Sequence, residues 1–247
     1  MSGAMKLADV ALPQFQLEYA GPSGPCEVAI EQAATVAFEF VAPVRAFARY
    51  RGQRSNTGLW WSATTNAHVG FESWLERDHV MLLDFDPQVA AIAAQPFRLR
   101  WDDTRRGRGR GHVPDFFARL TDGTGVVVDV RPASRVPASD AAIFAATGAA
   151  CKQAGWRYRL VHEPDPVLAA NVRWLAGYRR SRGVTATLAA AAPVVFAEPL
   201  PLMQGAERLG DPLLTLPVVF HLLWRGQLST NLSQVLCDSS PVRAVQR

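Results

Sequence analysis

Residues 112–132, HVPDFFARLTDGTGVVVDVRP, hold the pattern that decides the fold. Two runs rich in aromatic and β-branched residues flank the turn TDGTG, which predicts two antiparallel strands joined by a tight turn. Asp115 stands at the head of the first strand, and Asp129 lies near the end of the second. A carboxylate inside an apolar strand is costly unless a metal ion or a cation offsets its charge. Strand pairing is therefore expected to bring Asp115 and Asp129 side by side.

Arg131 and Glu76 complete the predicted cluster. Arg131 follows Asp129 by two positions, so the two side chains should point to the same face of the strand. Glu76 lies on a predicted helix upstream, in GFESWLERDHVMLLDFDP, and can place a third carboxylate over that edge. Metal-dependent phosphodiester hydrolysis needs converging carboxylates near a positive group. The sequence thus predicts that Glu76, Asp115 and Asp129 hold a divalent ion beside Arg131.

Together with the helix and the two strands above, the neighbouring segments predict the order helix, strand, strand, strand, helix, strand. The segment PQVAAIAAQPFRLRW predicts one strand, SDAAIFAATGAACKQAG a helix, and WRYRLVHE a further strand. Residues 43–69 predict a hairpin around the turn SNTG. WDDTRRGRGRG is too rich in glycine for a regular element and predicts a flexible basic loop. Near the C terminus, LLTLPVVFHLLW predicts a helix, followed by a short two-stranded hairpin around RGQLSTNL.

Arginine supplies most of the positive charge, which exceeds the negative charge by only 4. Its clustering is more informative than the total, because guanidinium groups suit bidentate contacts with phosphate. Two stretches are candidates for contact with the DNA backbone, although a solvated face and a disordered loop remain open alternatives. The candidate residues are Arg45, Arg49, Arg51 and Arg54 in the first stretch, and Arg105, Arg106, Arg108 and Arg110 in the second.

Cysteine content and hydropathy indicate the cellular compartment. The 3 cysteines lie far apart and form no CxxC pair, so no disulfide framework is predicted. The first residues hold no apolar run long enough for a signal peptide, and no later stretch reaches transmembrane length. These features predict a cytoplasmic protein without a membrane partner.

The stretches FESWLE, AAQPF, HVPDFF and VVVDVRP resemble the TnsA endonuclease subunits of heteromeric transposases, over roughly residues 58–180. The resemblance implies a restriction-endonuclease-like fold of the PD-(D/E)xK superfamily, a Mg²⁺ cofactor that Mn²⁺ could replace, and cutting of DNA at transposon ends. It also implies two protein partners, an integrase-like transposase subunit and an AAA-type ATPase regulator. The family's helix glutamate corresponds to Glu76, its strand aspartate to Asp115, its second-strand acid to Asp129, and its catalytic lysine to Arg131.

The expected fold class is α/β, with a central mixed sheet flanked by helices. Residues 1–57 are predicted to form an N-terminal arm and β-rich extension, residues 58–165 the nuclease core, and residues 166–247 a small winged-helix-like domain. A stand-alone restriction or repair nuclease on this fold is an alternative. A non-catalytic DNA-binding or assembly subunit is another, and Arg131 favours it, because arginine stays protonated and cannot act as a base.

Three residues near the predicted site have roles that the sequence leaves open. Glu72 stands one helical turn before Glu76 and faces the same way. Glu76 is preferred as the metal ligand, and Glu72 is left as a supporting, capping or surface residue. Gln95 either orders the site or makes a structural hydrogen bond. His112 is expected at the end of a strand, on the surface, although contact with a metal or a phosphate is an alternative.

Overall fold

The computed structural model of the protein describes residues 14–46, 56–103, 108–135 and 138–246. The strands are β1 (Phe15–Gly21), β2 (Gly24–Ala29), β3 (Gly58–Ser62), β4 (Ala67–Phe71), β5 (Val89–Ala94), β6 (Arg98–Asp103), β7 (Arg108–His112), β8 (Phe116–Leu120), β9 (Gly125–Val130), β10 (Arg157–Val161), β11 (Leu200–Pro201), β12 (Leu228–Ser229) and β13 (Pro241–Ala244). The α-helices are α1 (Trp74–Phe85), α2 (Ala138–Gln153), α3 (Pro166–Leu175), α4 (Ala186–Val195), α5 (Leu202–Leu209) and α6 (Pro212–Trp224). Short 3-10 helices cover Ile30–Thr35, Phe38–Phe40, Ala133–Arg135 and Ala176–Tyr178.

The central sheet has the strand order β10-β9-β8-β5. Strands β8 and β9 are antiparallel, as predicted, and β10 is parallel to β9. Alternate side chains of β9 enter different cores, since Val128 packs with Val80 of α1 whereas Val127 packs with Ala150 of α2. The two helices therefore cover opposite faces of a mixed sheet. This α/β arrangement is compatible with the predicted nuclease-like core.

A second sheet, of order β2-β1-β6-β7, corrects two sequence predictions. The segment predicted as one strand is divided at Gln95, whose φ of 46° turns the chain from β5 into β6. The predicted basic loop is also wrong in part, because Arg108–His112 forms β7 at the sheet edge and pairs with β6. Glycine has little preference for strands, but the hydrogen-bond ladder of a neighbouring strand can still hold it there. Because β1 pairs with β6, the N-terminal extension shares this sheet with the predicted core.

A hairpin lies in this region, but it is not the one predicted around SNTG, because Gly58 of that stretch already begins β3; residues 47–55 lie outside the described part of the chain. Strands β3 and β4 are joined at residues 63–66, where Asn66 has a φ of 53°. Asparagine tolerates this left-handed conformation better than most residues do. Phe71, predicted as a helical residue, ends β4 instead, and α1 begins at Trp74 after the cap Ser73.

Asp84, near the end of α1, fastens the β3–β4 hairpin to the helix and is 4% exposed. Its carboxylate accepts hydrogen bonds at 2.7–3.1 Å from Trp60 Nε1, Ser62 Oγ and the backbone N–H groups of Ala63 and Thr64. We expect Asp84→Ala to lower the free energy of unfolding by about 3 kcal/mol, because it leaves buried donors without an acceptor. Chemical denaturation measures this change. The control Asp86→Asn alters an acid that receives one exposed backbone hydrogen bond, and an equal loss there would contradict the assignment.

The C-terminal part consists of helices packed around one apolar core, together with three very short strands. Met81 of α1 packs in the same core as Val172, Leu222 and Val242, so this part rests against the first helix. The predicted hairpin around RGQLSTNL is wrong, since β12 pairs with β13 near the chain's end. Because β12 and β13 are separated by a long connection rather than a tight turn, no local turn motif in the sequence predicts their pairing. The winged-helix-like architecture and the three domain boundaries stay predictions. In the described part of the chain, no helix is long and apolar enough to cross a membrane.

Candidate active site

Asp115 lies immediately before β8, at the end of the central sheet where β9 finishes. Register pairs Phe116 with Val128, so Asp115 and Asp129 occupy the adjoining positions of the two neighbouring strands. The Asp115 carboxylate is 6% exposed. Its Oδ2 accepts a hydrogen bond of 2.7 Å from the backbone N–H of Val130 and one of 2.9 Å from the Arg131 guanidinium. The strand pairing thus holds this acid in a fixed position against a single cation.

The pKa of Asp115 reflects its burial and its acidic neighbours. Burial raises the pKa to about 7 from its ordinary value of 3.8, and the negative charges of Glu76 and Asp129 act in the same direction. Arg131 and the N–H of Val130 favour the ionised form but do not outweigh these effects. Without further positive charge, Asp115 is therefore partly protonated near neutral pH. Additional positive charge close by would favour the carboxylate.

Glu76 stands at the N terminus of α1 and forms an arrangement similar to a capping box, in which its carboxylate accepts from the residue before the N-cap. The N–H of Glu76 donates to Ser73 Oγ at 3.1 Å, while the Glu76 carboxylate accepts from the N–H of Glu72 at 2.6 Å and from the Ser73 hydroxyl at 3.1 Å. Burial raises the pKa of Glu76, and the charge of Arg131 lowers it. Glu72 instead forms an ion pair of 2.5 Å with Arg45. Of these two acids, Glu76 is therefore the one that influences Asp115.

Asp129 is fully buried and engaged by two side chains that the sequence left outside the site. His112 Nε2 lies 2.8 and 2.9 Å from its two carboxylate oxygens, and the Tyr158 hydroxyl donates to Oδ2 at 2.8 Å. His112 is on β7 and its side chain is only 10% exposed, so the expected surface position is wrong. The position of His112, three residues before Asp115, was a weak sequence signal that it lies at the site. No sequence signal indicated Tyr158, because this residue reaches Asp129 only through the parallel pairing of β10 with β9.

Arg131 lies where the alternation of β9 placed it, beside the carboxylates. Its Nη1 donates to Asp115 Oδ2 and, at 2.6 Å, to the carbonyl oxygen of Val130, while the guanidinium carbon lies 5.7 Å from the centre of the Phe144 ring. The side chain is 30% exposed. One part of the guanidinium is thus fixed to the site, and the group retains access to solvent.

Gln95 supports Asp115 through the main chain. The N–H of Gln95 donates to the carbonyl oxygen of Asp115 at 3.0 Å. The side chain is 2% exposed, and its Oε1 has no hydrogen-bond partner among the described residues. A buried acceptor without a donor costs roughly 1–3 kcal/mol. This oxygen can therefore accept a hydrogen bond from a water molecule or interact with a cation.

The donor set suits a hard divalent cation, which prefers oxygen ligands and often keeps several of its waters. Three carboxylates influence one another electrostatically, and the amide oxygen of Gln95 has no donor. In the arrangement described, however, protein donors already engage Glu76 and Asp129. Within the described ranges, no group of three or more His, Cys, Asp or Glu side chains is placed to hold a metal. The shared metal site stays a prediction, in which the three carboxylates would use the oxygen lone pairs that these hydrogen bonds leave free.

Three of the predicted DNA-contacting arginines, Arg45, Arg108 and Arg110, lie within the described residues. Arg45 pairs with Glu72, and Arg110 lies on β7, the strand that carries His112. Arg108 is the first residue of that strand. The remaining candidates lie outside the described residues: Arg49, Arg51, Arg54, Arg105 and Arg106.

Comparison with known families adds one finding. Residues 86–163 match the family model described as TnsA-like endonuclease N terminal. The matched segment includes Asp115, Asp129 and Arg131, whereas Glu76 precedes it. No curated protein matches the chain.

Proposed function

Since the chain carries a TnsA-like endonuclease N-terminal domain in residues 86–163, we propose that it is the DNA-cutting subunit of a heteromeric transposase. The proposed reaction is metal-dependent hydrolysis of phosphodiester bonds at the transposon ends. The observation that carries the proposal is the ion pair between Asp115 and Arg131, beside Glu76 and Asp129, at the end of the buried strand β9. Burying charged groups costs free energy, and titratable groups with shifted pKa values are concentrated at functional sites.

The residues divide the proposed work between them. Glu76, Asp115 and Asp129 are the residues that would hold a Mg²⁺ ion, and such an ion would supply a water molecule of lowered pKa and positive charge beside the phosphate. Arg131 contacts a non-bridging oxygen of the scissile phosphate and stabilises the charge that grows there. Arginine does not give up its proton in proteins, so Arg131 has no part in proton transfer.

His112, Tyr158 and Gln95 have supporting roles in this proposal. His112 and Tyr158 hold the Asp129 carboxylate from the second sheet and from β10, which restricts its rotation. Gln95 positions the backbone of Asp115 at the turn between the two sheets. Side chains locked by such contacts keep reacting groups within the small tolerances that catalysis requires.

The proposed partners are DNA, an integrase-like transposase subunit and an AAA-type ATPase regulator. The sequence contains no zinc module and no basic recognition helix for reading base edges. Selection of the cleavage site is therefore assigned to the partners, and contact with the DNA backbone to this chain.

The purified chain is expected to cut transposon-end DNA poorly by itself and efficiently with its transposase partner and Mg²⁺. The measurement is cleavage of a labelled transposon-end duplex by the chain alone, by the partner alone, and by both together. Chelation of the metal should stop the cut assigned to this chain. Strong site-specific cleavage by the isolated chain would contradict the heteromeric assignment, and cleavage that survives chelation would contradict the metal.

A non-catalytic assembly subunit is the second candidate, and Arg131 is the observation that favours it. Arginine stays protonated and cannot act as a base, and its guanidinium already donates to Oδ2 of Asp115. Under this alternative, the partner complex forms and binds DNA at the normal level, but the DNA cut assigned to this chain is never made. Strand-specific analysis of the products separates the two candidates.

A further inference from the structure

A second basic site lies away from the carboxylates, on a surface cavity of about 520 Å³. The cavity is formed where the β3–β4 hairpin meets the segment after α3 and the end of α6. Its lining includes Trp61 and four arginines, namely Arg179, Arg180, Arg182 and Arg225. None of these arginines belongs to the two clusters that the sequence singled out.

Most of the positive charge of this cavity is not neutralised by neighbouring acids. No aspartate or glutamate belongs to its lining. Arg180, Arg182 and Arg225 are exposed, and none of them forms an ion pair with an acid in the described part of the chain. The charge of Asp84 offsets part of the charge of Arg179, so the excess positive charge of the cavity lies on Arg180, Arg182 and Arg225. The net charge here is available to an anionic ligand.

Two tryptophans hold two of the four arginines, Arg179 and Arg180, in place. The guanidinium of Arg179 lies 4.5 Å from the centre of the Trp60 ring, and that of Arg180 lies 4.2 Å from the centre of the Trp61 ring. Arg179 also donates to the carbonyl oxygens of Trp61 and Ala176 at 3.0 and 2.5 Å. Guanidinium groups fixed by stacking lose less conformational entropy when they bind a ligand.

The same stacking selects the kind of ligand. Because arginines already cover the tryptophan rings, these rings are not free to stack on unpaired bases, as they would be in a site for single-stranded DNA. Several guanidinium groups in one open cavity instead match a row of phosphates. The chemistry favours the sugar-phosphate backbone of a duplex, without recognition of base sequence.

Helix α1 relates this cavity to the carboxylate site. Glu76 stands in its first turn, and Asp84, next to the cavity, lies eight residues further on. At a rise of about 1.5 Å per residue, the two positions are about 12 Å apart along the helix axis. That separation corresponds to roughly three to four base-pair steps of 3.4 Å in a duplex. This spacing along the helix is within the length of one duplex binding site, and contact of a single duplex with both places is part of the proposal below.

We propose that the cavity lined by Arg179, Arg180, Arg182 and Arg225 binds the phosphate backbone of duplex DNA on one side of the cleavage point. This inference rests on the proposed function, since it assumes a DNA substrate at the carboxylate site. The cavity acts as a sequence-independent clamp that holds the duplex in register with Glu76 and Asp115. Its contribution is to affinity and positioning.

The test is duplex binding by the full chain without metal, measured by fluorescence anisotropy at increasing salt concentration. The variant is Arg180→Ala with Arg182→Ala, which removes two exposed guanidinium groups. The matched control is Arg208→Ala with Arg243→Ala, which removes the same charge from exposed positions outside the cavity. Thermal unfolding of both double variants confirms that each is folded. The probe is a labelled duplex of arbitrary sequence.

Loss of two phosphate contacts should weaken binding by roughly tenfold to a hundredfold near 0.1 M salt and reduce the slope of log K against log salt by roughly 2. The control should retain the parent slope. Equal effects in both variants, or no effect in the cavity variant, would overturn the clamp. So would a cavity variant that keeps its DNA affinity and loses binding to the transposase partner, because the cavity would then be a protein contact. If the parent chain itself does not bind DNA, the clamp is overturned, whereas the proposed function is judged separately by cleavage in the presence of the transposase partner.

Discussion

Asp115→Asn is expected to reduce DNA cleavage in the presence of the transposase partner by roughly a thousandfold or more, the scale of losing several kcal/mol of metal-supplied charge stabilisation. The reason is that Asp115 is the acid on which the other charged groups act: Arg131 donates to it, and Glu76 and Asp129 raise its pKa. Asparagine keeps the shape and can still accept the N–H of Val130. It cannot supply the negative charge that a divalent ion requires.

The same substitution is expected to stabilise the metal-free protein at about pH 8. Because the pKa of Asp115 is about 7 in the folded state and near 3.8 when unfolded, the folded parent holds a proton that the unfolded chain releases between these values. The stability of the parent therefore falls as the pH rises through this window and levels off above it. Asparagine has no such dependence, so its advantage in thermal unfolding should shrink as the pH falls towards about 4.

Asp122→Asn is the matched control for both measurements. Asp122 lies on the exposed turn between β8 and β9, where it accepts a hydrogen bond from the N–H of Thr124. Its replacement should leave cleavage close to the parent rate. Cleavage by Asp115→Asn at more than a small fraction of the parent rate would show that Asp115 does not hold the metal. Parent stability that does not change between about pH 4 and 7 would contradict the raised pKa.

Arg131→Ala is expected to lower cleavage by roughly a hundredfold or more, on the scale of losing one electrostatic stabiliser of the transition state. Arg131→Lys should keep or raise the parent rate, because lysine retains the charge and matches the residue of the resembling family. The structure adds a second effect. Arg131 lowers the pKa of Asp115, so its removal leaves Asp115 more protonated near neutral pH. The pH profile of the alanine variant should therefore move to higher pH, and lysine should reverse most of this shift.

The measurement for Arg131 is the cleavage rate of the three forms against pH, with Mg²⁺ and the transposase partner. Arg159→Ala provides the control, because Arg159 is exposed on β10, the strand next to β9. Metal binding should survive in both Arg131 variants, since the carboxylates are unchanged. If Arg131→Ala cuts as fast as the parent at every pH, Arg131 has no role in the reaction. If instead the parent does not cut and Arg131→Lys does, the chain is an assembly subunit that has lost its reaction.

The sequence determined the features that depend on local pattern. The valine run around Asp129 and the turn TDGTG predicted the β8–β9 pair, and the antiparallel register placed Asp115 next to Asp129. Alternation along the strand placed Arg131 beside them. The family resemblance agrees with the match over residues 86–163. These predictions succeeded because side-chain alternation and tight turns act over a few residues.

The tertiary structure decided the features that join distant segments. A glycine-rich stretch became β7 because β6 supplied its hydrogen bonds, and only that pairing brought His112 to Asp129. Tyr158 reached the same carboxylate through a parallel crossover, which has no local sequence signal. The arginine cavity likewise assembles from a hairpin, the segment after α3 and the end of α6. Burial and long-range pairing set these contacts, and neither is encoded in the spacing of neighbouring residues.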